Sequence, residues 1–114
     1  MTQNIKFKEI KSTNYWFKIV EFLQVNWALI EECEDGTARV SFIDDTSGTF
    51  DEIVFLTLER AVNELMDNGF DLYSEAKHVH NLLSPPQPPF KVAPHPNGPI
   101  YSSGRYRDSP KSTN

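Results

Sequence analysis

The stretch from Trp27 to Phe70 constrains this 114-residue chain most, because it carries the two periods by which a backbone buries one face, one directly after the other. From Ala38 to Phe42 the residues alternate, with Ala38, Val40 and Phe42 on one face and Arg39 and Ser41 on the other, the pattern of a half-buried strand. Before it, Glu34-Asp35-Gly36 supplies a turn in which glycine takes positive φ without a Cβ clash, which makes Trp27 to Cys33 the antiparallel partner. A second turn at Asp45-Thr46-Ser47-Gly48 leads into Ile53 and Phe55, which alternate with Glu52 and Val54 as a third strand. Connections this short exclude a parallel crossover, so the three strands read as an antiparallel meander.

At Thr57 the period changes. Its hydroxyl is placed to accept from a first-turn amide, and Glu59 sits at the positive end of the helix dipole. Leu58, Ala61, Val62, Leu65 and Met66 then form one apolar stripe, with Glu59, Arg60, Asn63, Glu64 and Asp67 assigned to the opposite side. Asn68-Gly69 stops the helix, with Phe70 as the hydrophobic contact that accompanies such a stop.

Outside this stretch, Ile5 and Phe7 alternate with Lys6 and Lys8, as in a short edge strand whose lysines discourage further pairing. Ser12 or Thr13 is placed to cap a helix from about Tyr15 to Val25, in which Trp16, Ile19, Val20 and Leu23 fall at helical spacing. Ala76, Val79, His80 and Leu83 have the same spacing over Ser74 to Leu83, a further short helix that Pro85 ends at Ser84. From Ser84 onward the chain holds all eight of its prolines and no regular period, so residues 84–114 read as an extended arm. Phe90, Val92, Ile100, Tyr101 and Tyr106 are apolar for a solvating linker, which leaves both docking and disorder open for that arm. The expected fold is therefore α+β: one domain over residues 1–83, with an N-terminal helix, a three-stranded antiparallel meander and one or two C-terminal helices on one sheet face, followed by the arm.

The single cysteine, Cys33, cannot form an internal disulfide, and no 18-residue apolar run or signal-type start is present. A cytoplasmic protein without membrane attachment is expected. His78 and His80 point roughly 200° apart if helical, with no third ligand at metal spacing. The carboxylates around the second turn do not follow the calcium-loop pattern, and no glycine run has the strand and helix that a phosphate loop requires. No cofactor, metal or catalysis is expected.

Charge is distributed unevenly. Residues 31–75 hold thirteen acidic and two basic residues, a net −11, although the whole chain is only −5; residues 1–18 and 90–114 are each +3. Weak, salt-screened attraction of the basic ends to the acidic middle explains this without any function. If Glu31-Glu32, Glu34-Asp35, Asp44-Asp45 and Asp51-Glu52 instead line one side of the sheet, they imitate a phosphate backbone. The sequence thus leads to a small non-catalytic interaction module, monomeric or weakly dimeric, that binds another protein. Its candidate contact residues are Asp44, Asp45, Asp51 and Glu52 on the sheet and Tyr101, Arg105, Tyr106 and Arg107 on the arm. An acidic mimic of DNA that inhibits a nucleic-acid-binding protein is the second reading, and direct nucleic-acid binding is not expected. The PPQPP run also has the form of a ligand for aromatic-groove domains.

Overall fold

The computed structural model describes residues 6–21 and 24–92. It corrects the expected architecture: the fold is mostly strand, a seven-stranded mixed sheet with a single α-helix. The strands are β1 (Phe7–Lys8), β2 (Trp16–Glu21), β3 (Gln24–Glu32), β4 (Ala38–Ile43), β5 (Gly48–Phe55), β6 (Asp71–Leu72) and β7 (Phe90–Val92), and the helix is α1 (Leu58–Asp67). Their spatial order is β1-β7-β5-β4-β3-β2-β6. All pairs are antiparallel except β5 with β7, which run parallel, so the sheet is not purely antiparallel.

In place of the N-terminal helix there is a hairpin, with Trp16 opposite Ala28 and Phe17 opposite Trp27. The helical spacing at Trp16, Ile19 and Val20 was coincidental, because Trp16 and Phe17, neighbours at the start of β2, are buried on opposite faces while Ile19 is exposed. Trp16 packs with Ala28, Phe42 and Phe70, whereas Phe17 packs with Val25, Trp27 and Ile43. Adjacent apolar residues at a strand's start break the alternation, and a short apolar-rich segment then contains helical spacings by chance. The expected helix over Ser74 to Leu83 is replaced by two 3₁₀ turns, Tyr73–Glu75 and Lys77–Val79, which still bury Ala76 and Val79.

Between β5 and β7 the chain wraps the sheet. From β5, α1 crosses one face and delivers the chain to the far edge, where β6 pairs with β2. The 3₁₀ turns and the proline segment return across the other face, and β7 enters between β1 and β5. Local bonds hold the return path in place: Tyr15 Oη donates to Pro86 O at 2.5 Å, Tyr73 Oη to Leu83 O at 2.6 Å and Ser47 Oγ to Gln87 O at 2.7 Å. The start of PPQPP is thereby held at the chain's own Tyr15, with Pro86 buried and Gln87, Pro88 and Pro89 exposed. Beneath it Tyr15, Phe17, Trp27 and Tyr73 form a network of ring contacts at 5.7–6.1 Å.

Candidate functional site

Two turns fix the sheet on which the site is built. Gly36 has φ +90°, as its turn requires. At the second turn the positive φ falls on Ser47, at 65°, and Gly48 serves a different purpose. A Cβ at Gly48 would stand 2.8 Å from Asp44 Oδ2, so only glycine leaves room for the carboxylate that organises this turn. That carboxylate accepts from Thr46 N–H, Thr46 Oγ1 and Gly48 N–H at 2.8–2.9 Å.

The helix ends are equally well defined. Thr57 Oγ1 accepts from Arg60 N–H at 3.1 Å, and at the far end Gly69 N–H reaches Met66 O at 3.0 Å while Phe70 N–H reaches Leu65 O at 2.9 Å. Those two bonds, with Gly69 at φ +87°, are the left-handed stop that turns the chain under the helix. Phe70 is thereby buried against Phe42, and Asp71–Leu72 is carried to the edge of β2.

Within α1 the buried set coincides only in part with the apolar stripe, although half-buried Val62 also packs against the core. Ala61, Glu64, Leu65 and Asn68 are buried, a set rotated about 80° from the stripe of Leu58, Ala61, Val62, Leu65 and Met66. Only Ala61 and Leu65 belong to both. Glu64 is 1% exposed, whereas Met66 is 58% and Leu58 40% exposed. The displaced half of the stripe, Leu58, Val62 and Met66, lines a half-open groove of about 500 Å³. Trp16, Ile30, Phe70 and Leu72 complete its apolar lining, and Ser12, Asn14, Asp71 and Glu75 are its polar members. The segment that supplies Ser12 and Asn14 to the wall is tethered just before it, where Lys11 N–H donates to Glu31 Oε2 at 2.8 Å, and within it Asn14 N–H donates to Ser12 Oγ at 3.3 Å.

The candidate carboxylates named from the sequence are placed elsewhere. Asp44 organises its turn, and Asp45 accepts from the Trp27 indole N–H at 3.0 Å and from Val25 N–H at 3.3 Å, so it ties the turn to β3. Asp51 accepts from Glu52 N–H at 2.8 Å. Consecutive strand residues point to opposite faces, which separates Asp51 from Glu52 and Glu31 from Glu32. Glu52 meets Lys8 and lies 3.5 Å from Arg39 Nε, while Arg39 Nη2 donates to Glu31 at 2.8 Å, so cations interrupt the acidic row on that face. Tyr101, Arg105, Tyr106 and Arg107 lie outside the described residues.

Sequence reasoning missed Leu58 and Met66 as surface residues, together with Val62, Trp16 and Ile30 as groove lining. Periodicity shows which residues share a face and not which way the face is turned. The available signal was the width of the stripe, five residues on a ten-residue helix that also had to bury Phe70 beside it.

Among the described residues no group of three or more His, Cys, Asp or Glu side chains could hold a metal ion, and no helix is long and apolar enough to cross a membrane. His78 and His80 are both exposed, and His80 stacks on Tyr73 at 4.3 Å. No family model, curated protein or solved structure matches the chain.

Proposed function

We propose that the chain is a non-catalytic interaction module that binds a segment of a partner protein in the groove beside α1. The observation that carries this reading is the helix's rotation, which leaves Leu58, Val62 and Met66 at an open groove while Glu64 occupies the core. Burying a carboxylate costs free energy that burying Met66 in its place would not, so the arrangement favours a use for the apolar face over stability of the isolated chain. Most of the groove's lining is apolar with a few polar groups at its margin, the composition of a recognition site.

Photo-crosslinking tests it. A benzophenone side chain placed at Met66 is compared with one at Val54, which is equally exposed at 58% but lies on β5. The expected result is a crosslink from position 66 alone to one defined peptide of one partner. Equal crosslinking from both positions, or scattered products, would overturn the reading.

A further inference from the structure

We propose that the groove's occupant is an extended peptide segment of the partner, with aliphatic side chains at alternate positions and lysine or arginine between them. This rests on the groove being the binding face. Leu58, Val62 and Met66 step along α1 by about 6 Å each. That step is close to the roughly 6.6 Å between alternate side chains of an extended strand, so such a segment sets successive apolar side chains beside successive rows of the helix. A volume of about 500 Å³ holds a few anchor side chains rather than a folded element.

Charge selects the residues in between. The lining includes two carboxylates, Asp71 and Glu75, and no cation. Glu32 follows Ile30 on the same sheet face, and Glu59 and Asp67 are exposed on the solvent side of α1. Lys18, whose side chain runs along Gly69, and Arg60, 4.0 Å from Glu64, are not among the lining residues. An apolar floor with an acidic margin is complementary to a segment that is both aliphatic and basic, and it repels an acidic one.

The test is a methyl NMR titration of the full chain with two synthetic capped peptides, one of alternating leucine and lysine and one of alternating leucine and glutamate. The leucine-lysine peptide is expected to move the Met66, Val62 and Ile30 methyls, to bind about tenfold tighter than its acidic counterpart at low salt, and to lose that advantage as salt rises. Asp71→Lys with Glu75→Lys is expected to reverse the preference. Equal shifts of the same methyls by both peptides would overturn the charge inference and leave the groove reading standing, whereas no shift with either would overturn both. Tighter leucine-lysine binding by the charge-neutral Tyr101→Ser, Tyr106→Ser variant would show the chain's own arm competing for the groove, and would overturn the assignment to a separate partner.

Discussion

Glu64 and Met66 stand two residues apart on α1, and the fold buries the carboxylate while leaving the thioether exposed. Glu64 is held in the core with Arg60 Nε at 4.0 Å, and the helix carries Ala61 and Leu65 inward beside it. A helix free to choose by hydrophobicity alone would turn the other way. Such conflicts between local pattern and global fold concentrate at functional surfaces, which is why the exposed half of the stripe is the strongest functional signal in the molecule.

The rotation separates two neighbouring substitutions. Leu65→Ala removes a fully buried side chain and is expected to lower unfolding free energy by about 2–5 kcal/mol. Met66→Ser, one residue on, should stay within about 0.5 kcal/mol of the parent. Urea unfolding of both variants measures the contrast, and a large loss for Met66→Ser would place Met66 in the core.

Asp45 is expected to act as a staple between the second turn and β3. Asp45→Ala removes the acceptor for the Trp27 indole and the Val25 amide and should cost about 1.5–3 kcal/mol, with a change in tryptophan emission as the indole N–H loses its partner. An unchanged melt and emission spectrum would show that the bond contributes nothing.

Gly48→Ala should destabilise the chain by about 1–3 kcal/mol, because the new Cβ meets the Asp44 carboxylate rather than because of backbone strain. Removing the carboxylate in the double variant Gly48→Ala, Asp44→Ala should therefore cost less than the sum of the two single changes. A double-mutant cycle measures this, and strict additivity would contradict the contact.

Acid should weaken the fold partly through Glu31. Burial opposes its ionisation, but hydrogen bonds from Lys11 N–H and Arg39, with the charges of Arg39 and Lys8, outweigh burial and hold its carboxyl below the usual value of 4.5. A depressed folded pKa means that stability is fully present above about pH 4.5 and is lost as pH falls through the lower folded value. Asp35 is also held low, by hydrogen bonds from Thr37, so Glu31→Gln should flatten this acid slope only in part. Stability measured from pH 7 downward checks it; a Glu31→Gln slope identical to the parent's would remove Glu31 from the explanation.

What the sequence showed depended on how local the cause was. The turn at Gly36, a strand over Ala38 to Phe42 and the Thr57 cap with its Gly69 stop are set by residues within a few positions of each other, and were legible, although the strand is not half-buried as expected, since Ser41 on its other face is 1% exposed. The strand from Trp16 was misread because Trp16 and Phe17 are buried on opposite faces while Ile19 is exposed, so apolar residues do not alternate along it. Phe90–Val92 has no local signal of a strand, since its partners Phe7–Lys8 and Gly48–Thr49 lie about 40 residues or more away in sequence. The groove was hidden for the same reason: its walls come from residues 12–16, Ile30, α1 and β6, and only the tertiary path of the chain brings them together.

The orientation of α1 underlies everything proposed for the groove, and the chemistry of Met66 reads it directly. Mild peroxide oxidation of the native chain, followed by peptide mass spectrometry, gives the rate at which the Met66 thioether becomes sulfoxide. An exposed groove residue is expected to oxidise at a rate close to that in the urea-unfolded chain, without loss of folded signal. Oxidation slowed by orders of magnitude, or coupled to unfolding, would put Met66 in the core and remove the surface on which the proposed function rests.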